Sequence, residues 1–475
     1  MLDAVVVGSG PNGLTAAITL AEAGLRVLVL EANAVPGGGA RTEERTLPGV
    51  RHDVCSAVHP FGVASPAFTA MNLEEHALRW AHPEIPFAHP LDGGRAAAVT
   101  RDIEETCERL GGDGQAWRRT VGWVVRHWEE SVRLSMSPPL QALRRPMTGG
   151  GFGWRALRSA AMLVRHFRTV EGRAAIAGLA AHAAVPLTTI ASAGVAISLG
   201  ASAHTVGWPV AVGGSGAITE ALIGKLHSLG GEIRVGTRVE RWSDIPEAAL
   251  VILDAATETA VRIAGDRMSS WRRRRYRSLP RGPGVFKIDV AVDGPIPWSN
   301  EDCRRAGTLH LGGTYEEIAE SERTVADGGH PARPFVIAAQ PAMADPTRAP
   351  SGTHVLWAYC RVPRGSTADM TAAIVGQVER FAPGFESRIM ALSARAAGDL
   401  EKENANLVGG DITGGTLSLR GLFARPTLVR PYRAARGVYL CSASTPPGAG
   451  VHGMCGWHAA HVALKDSRPT VNCEL

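Results

Sequence analysis

Residues Ala4–Ala32 read AVVVGSGPNGLTAAITLAEAGLRVLVLEA, and the fold is decided in this stretch. Ala4–Val7 is a short apolar run of the length of a buried strand. Gly8, Gly10 and Gly13 follow at the spacing G-x-G-x-x-G, and a helix-forming run opens at Pro11 and Asn12. A second apolar run ends at Glu31 and Ala32. Glycines at these places permit a tight turn, close approach of backbone to a pyrophosphate, and contact between helix and strand. The helix N-terminus adds unpaired N–H groups and a positive dipole end. An acid at position 31 stands where ribose hydroxyls are met. Four elements in this order predict a dinucleotide-binding strand–helix–strand unit.

The next loop bears on which dinucleotide is held. Residues 35–44 read VPGGGARTEE, placing Gly38 and Gly39 ahead of Arg41 and Thr42. A simple NAD unit needs no further close backbone approach there, whereas FAD has the rest of its pyrophosphate and a flavin to cover. An ordinary glycine turn is the competing reading. Far downstream, Gly448, Gly450 and Gly453 repeat G-x-G-x-x-G after the apolar run GVYLC and Ala443. A second dinucleotide unit would need a helix, a strand and an acid after this loop. The residues DSRPTVNCEL at 466–475 are no buried strand, so no separate NAD(P)H site is expected. A helix N-terminus near Val451 and His452 can instead set its positive end against the N1–C2=O edge of a reduced flavin. FAD is the expected cofactor.

Organisation along the chain is interleaved. A helical pattern fills 101–135 and 154–200, with a break near Pro186. Nucleotide-fold texture returns with a helix over 218–229, a strand near 232–241 and a buried strand ending at Asp254. From 284 to 363 the alternation is β-like. The chain therefore reads as α/β, a discontinuous Rossmann-type FAD-binding domain (1–70, 205–260 and 425–475) interleaved with an α+β substrate domain of mixed sheet and helices (71–204 and 261–424).

Composition narrows the function classes. Of 475 residues, 45% are hydrophobic and 20% charged, and the formal charge is +5. These are values of a soluble globular protein and give no argument for nucleic acid. Seven scattered cysteines without a C-x-x-C pair suit reduced thiols in a cytoplasm. A strand beginning within five residues of Met1 leads us to expect no signal peptide, and no apolar run has spanning length. The arginine run WRRRRYR (271–277) and the amphipathic LRSAAMLVRHFR (157–168) leave peripheral contact with a membrane open, beside the plainer reading of solvated basic faces. Oligomeric state is not legible.

Candidates for chemistry are few. No Ser-His-Asp set or cysteine nucleophile emerges. Cys455, His458 and His461 advance by threes along one helix and drift around it, so no metal site is expected. In VFKIDVAVD (285–293), Phe286, Ile288, Val290 and Val292 share one strand face, and Lys287, Asp289 and Ala291 the other. The charged pair is either exposed to solvent or part of a polar cavity wall. Lysine here draws notice because only four of the 50 basic residues are lysines, and lysine can serve as acid or base. His452, in a loop aimed at the cofactor, is expected to donate to the flavin or substrate, with satisfying backbone as the competing reading. His59, His182, His204 and Trp208 either wall a cavity or pack.

The segments GSGPNGLTAA, PGGGARTEE, LPGVRHDVCSAVHP, HTVGWPVAVGGSGAITEAL, GPGVFKIDVAVDGPIPW, NLVGGDITGG and YLCSASTPPGAGVHGMCGWHAAHVAL together resemble the phytoene desaturase/carotenoid isomerase-like flavoproteins of the amine-oxidase-like FAD group. The resemblance implies FAD bordered by Gly8, Gly10, Gly13, Glu31, Gly38, Arg41, Val239, Gly450, Val451 and His452. Two departures stand out. Only RWSDIPEA separates the Val239 region from the strand before Asp254, where the family has a hairpin, and Ala40 precedes Arg41 where the family has arginine directly after the glycines. The implied activity is hydride transfer between flavin N5 and a carbon of an apolar, isoprenoid-like or secondary-metabolite substrate, with desaturation leading. A flavin-dependent isomerase without net redox and an FAD-stabilised binding or scaffold protein are the alternatives.

Overall fold

Every residue of Ala4–Val7, Val27–Leu30 and Leu250–Leu253 is buried, because the sheet they form is covered on both faces. Such strands read as unbroken apolar runs rather than alternating ones. The computed structural model describes residues 2–138, 146–425 and 430–467. In it the strands run in the order Arg433–Ala435, Val438–Leu440, Leu250–Leu253, Ala4–Val7, Val27–Leu30, Glu232–Arg234. All pairings are parallel except the first, which is antiparallel. Ala4, Val6, Val27 and Val29 pack under the helices Pro11–Glu22, Gly216–Ser228 and Met454–Ser467. Val5, Val7, Leu28 and Leu30 face the opposite layer with Ala260, Val261 and Tyr276.

A second, seven-stranded mixed sheet runs Ile389–Arg395, Gly284–Asp293, Thr353–Val362, Val336–Ala339, Ala306–Leu311, Ile85–Pro90, Ala96–Val99. Its one parallel pairing joins Ala306–Leu311 to Ile85–Pro90. Phe286, Ile288, Val290 and Val292 bury one face with the helix Thr371–Phe381. Val285, Ile337, Trp357 and Tyr359 look the other way, toward the helices Gly114–Arg126, Val170–Ala181 and Ser192–Thr205.

The strands of the first sheet lie in 4–30, 232–253 and 433–440, and those of the second in 85–99 and 284–395. The helices Thr257–Ala264 and Ser270–Arg277 pack on the first sheet, so its layers extend past residue 260 to about the buried Tyr276. The strand expected over 232–241 is shorter than its sequence pattern. It stops at Arg234, and at Gly236 (φ 62°) the chain turns back, with the Thr237 N–H donating to the Glu31 carbonyl at 2.7 Å. Val239 consequently lies in a loop. Between it and Leu250 only the single turn Trp242–Asp244 intervenes. Residues 468–475, including most of the C-terminal stretch weighed above, lie outside the described residues. No helix among the described residues is long and apolar enough to cross a membrane.

Candidate functional site

A cavity of about 980 Å³ runs from the glycine loops of the first sheet to the inward face of the second. At the first sheet, helix Pro11–Glu22 begins after Gly10, which offers no side-chain cap, and a cap comes instead from Asp254, directly after the neighbouring strand. Gly8, Gly10, Pro11 and Asn12 line the cavity. Gly13 does not. Its N–H donates to Asp254 Oδ2 at 3.0 Å, and a Cβ there would stand 2.1 Å from the Gly8 carbonyl oxygen. Its task is to press the loop onto the sheet.

Glu31 lines the cavity beside Ala32 and Val239. Its carboxylate accepts from the Ser9 N–H (3.0 Å), the Ser9 hydroxyl (2.6 Å) and the Asn33 N–H (2.8 Å). Ser9 Oγ in turn accepts from the Gly37 N–H at 3.1 Å, which ties the second glycine loop to the first. A Cβ on Gly38 would come 3.2 Å from Gly10 Cα. The two loops thus meet backbone to backbone, and Gly38 and Gly39 reach the lining.

Arg41 and Thr42, expected beside the cofactor, lie off the cavity lining. After Ala40 the chain enters the small antiparallel pair Thr42–Glu44 with Arg51–Asp53 and leaves the cavity. Thr42 donates to Asp53 Oδ1 at 2.8 Å and accepts the Gly216 N–H at 2.9 Å. Arg41 lies buried with its Nε 3.4 Å from Glu43. Neither side chain lines the opening.

The C-terminal loop contributes Ala443, Gly450, Val451 and His452. His452 lines the cavity, and one of its ring nitrogens is taken by the loop. Its Nδ1 accepts the Met454 N–H at 3.1 Å, and burial pulls its pKa down to about 4, with the carbonyls of Ala449 and Gly448 opposing. That bond to the loop's own backbone makes it a brace for the start of the helix Met454–Ser467.

Lys287 lines the cavity, and Asp289 sits behind it without cavity surface. The pair is not exposed: the side chains are 3% and 0% accessible. Lys287 Nζ donates to Asp289 Oδ1, and the Arg395 guanidinium donates to Asp289 Oδ2. Two cations therefore share one buried carboxylate. Burial lowers the Lys287 pKa from the usual lysine range, with Asp289 opposing. His52 Nδ1 stands 3.6 Å from Asp289 Oδ1, and burial, then the charges of Lys287 and Arg348, hold His52 neutral with a pKa of about 3.

Several lining residues were missed from sequence. Trp357 and Tyr359 pair across the sheet with Asp289 and Lys287 and meet edge to face at 5.2 Å. The alternation of HVLWAYCRV puts them on one face with Arg361, a signal that was available. Asp254, directly after its buried strand, also lines the cavity. Burial pushes its carboxyl up to about 7, with the Gly13 N–H opposing and Glu31 reinforcing. Beyond Lys287 the wall is apolar, with Phe61, Phe152, Val195, Leu199, Ile337 and Trp208. His59 and His182 reach it. His204 instead packs, accepting from Trp117 Nε1 at 2.9 Å. Among the described residues no group of three metal-ligating side chains converges. His458 faces the Met136 carbonyl and His461 the Trp457 carbonyl.

Comparison with known proteins fits this geometry. Residues 6–71 match the family model of NAD(P)-binding Rossmann-like domains. The chain is 26% identical to the pyridine nucleotide-disulfide oxidoreductase domain-containing protein 2 of Rattus norvegicus, over 98% of this chain and 93% of that protein. It is 27% identical to the phytoene dehydrogenase of Streptomyces griseus, over 94% and 92%. Its fold is that of a putrescine oxidase variant, at a TM-score of 0.65 with 15% identity over 98% and 99% of the two chains. The homologues and the fold agree with the resemblance read from the motifs.

Proposed function

We propose that the chain is an FAD-dependent oxidoreductase that dehydrogenates a carbon–carbon bond of an apolar, isoprenoid-like or secondary-metabolite substrate. One observation carries the reading: a single cavity joins a glycine-lined dinucleotide cradle to an apolar chamber, with Lys287 among its lining residues. The cradle fits FAD, since Gly8, Gly10 and Asn12 at its helix start line the opening, its two glycine loops touch through backbone, and Glu31 stands at the strand end. A flavin bound there would supply the two-electron acceptor that the side chains lack. The relatives' printed activities, a dehydrogenase and an oxidase, support the same reading.

The chain's own part is to bind, to exclude water and to hold a proton. The apolar wall removes water from the reacting carbon. Lys287, dry and with a lowered pKa, can hold or release a proton at Nζ while Asp289 and Arg395 fix its position. Lys287→Met would slow single-turnover flavin reduction by roughly a hundredfold while leaving flavin content unchanged, because Arg395 still neutralises Asp289.

The decisive experiment is anaerobic. Purified protein should release FAD on acid precipitation and leave a colourless pellet. Its flavin should bleach on addition of a component of a lipid and terpenoid extract, with product two hydrogens lighter. Unchanged product mass would mark an isomerase, and flavin that no component bleaches would mark a binding protein.

A further inference from the structure

Three histidines of the second sheet and its covering helices lie in a row behind the apolar wall. His89 Nε2 faces the Gly313 carbonyl at 2.7 Å, His182 Nε2 faces His310 Nε2 at 2.9 Å, and His182 reaches the cavity. Burial holds all three neutral, so each ring carries one proton and one bare nitrogen.

The protons can be placed in turn. A carbonyl only accepts, so His89 carries its proton on Nε2 and its Nδ1 is bare. His89 Nδ1 and His310 Nδ1 are both buried without a partner and converge on Gly178. A Cβ on that glycine would stand 2.9 and 2.8 Å from them. Two lone pairs turned on the same dry point repel, so His310 carries its proton on Nδ1. His310 Nε2 is then bare and accepts from His182 Nε2. That leaves His182 Nδ1 as a bare acceptor. It has no protein partner and is absent from the sealed, unpartnered atoms, so it opens to the cavity.

We propose that His182 Nδ1 is a subsite that accepts a hydrogen bond from a hydroxyl group on an otherwise apolar substrate. It rests on the cavity being an apolar-substrate site. Such a wall binds hydrocarbon without orientation, and one fixed acceptor gives it a way to sort donors from molecules that only accept. The backing rings matter because they hold the tautomer: His182 can offer an N–H to the cavity only if its bond to His310 reverses, which leaves bare Nδ1 atoms of both His89 and His310 beside Gly178.

Two matched probes test this on the flavin-loaded protein. Farnesol carries a hydroxyl donor, and farnesyl methyl ether has the same body with an acceptor only. Binding is followed by quenching of tryptophan fluorescence, since Trp208 and Trp357 are in the wall. Wild type should bind the alcohol roughly tenfold more tightly, the scale of one net hydrogen bond. His182→Phe should bind both alike, with affinity for the ether within about twofold of wild type. Histidine-selective ¹⁵N NMR of wild type should show His182 Nδ1 with the shift of an unprotonated nitrogen, which keeps a test available if the variant does not fold. Equal binding of the two probes by wild type, a preference that survives in His182→Phe, or a protonated Nδ1 overturns the subsite. Failure of both probes to bind overturns the apolar-substrate reading and the subsite with it.

Discussion

At Gly8 and Gly13 the backbone folds down onto its own sheet, whereas at Gly453 and Gly456 it folds onto the helix of another stretch of chain. A Cβ at Gly13 would meet Gly8 and Asp254. At Gly453 it would stand 2.2 Å from Thr15 Oγ1, and at Gly456 1.8 Å from the Asn12 carbonyl oxygen. Close approach of backbone at glycine thus serves two ends. In the first loop it brings Gly8 and Gly10 to the wall of a cavity. In the second it seats the helix Met454–Ser467 against Pro11–Glu22 so that the two helix starts lie side by side. A glycine pattern states that backbone must come close; the neighbours decide to what.

That contrast can be broken most forcefully at the closest contact. Gly456→Val drives a side chain into the backbone of the first helix, where nothing can yield, and overpacking of this kind reaches well beyond ~3 kcal/mol. We expect no folded, flavin-bearing protein, the same outcome as Gly13→Val, although only Gly13 belongs to the nucleotide motif. Gly456→Val with wild-type melting temperature and full flavin would break the comparison.

Asp254 offers the next effect. Its folded pKa, about 7, lies above the ordinary 3.8, so the protonated form is the one that folding favours. The associated stability is full below pH ~4 and is lost as pH rises through ~7. Asp254→Asn has no such dependence. Urea unfolding of flavin-free protein at pH 4.5 and 7.5 should therefore show the wild type losing about 3 kcal/mol relative to the variant. Parallel pH curves for the two proteins would remove Asp254 as a titrating prop of the first loop.

His452 gives a smaller change. Replacing this brace by alanine forfeits one buried bond to the Met454 N–H, a cost of about 1–2 kcal/mol, read as a lowered urea midpoint. Flavin reduction by substrate should stay near wild type, and a loss of rate at normal stability would return the ring to the reacting atoms. The smallest expected effect is none at all. If the second loop is a seat for a helix, stopped-flow mixing with NADH or NADPH should give slow flavin reduction that does not saturate. Rapid, saturable reduction at micromolar nucleotide would sharpen the loop into a second binding site.

Much of the first sheet was open to reading because its strands are uniformly apolar and its turns are bound to glycine. Val6 and Leu28 could belong to little else. Lys287 was legible as a choice between two faces, since alternation gives the face and says nothing of what covers it. Arg41 and Thr42 lie off the lining because a β pairing with Arg51–Asp53 carries them away, which chain distance from Gly39 does not reveal. His452 was legible as a choice between two roles, since a ring in the right loop can also spend a nitrogen locally. Trp357 and Tyr359 were written in a pattern of period two, but the cavity depends on helices more than 150 residues upstream. The bond between His182 and His310 joins positions that no local pattern connects.

The interleaving of the two sheets also has a cost in time. Leu250–Leu253 pairs with Val438–Leu440, so an inner edge of the first sheet waits for a partner made much later. At ~5–20 residues per second of synthesis, that wait is on the order of ten to forty seconds. During it the emerging polypeptide presents a bare, wholly apolar strand edge to its surroundings, the kind of surface that pairs with other chains. Newly made molecules of this protein are therefore natural clients for chaperones at the ribosome, and yield in a foreign host should follow the supply of those helpers more closely than the stability of the finished fold.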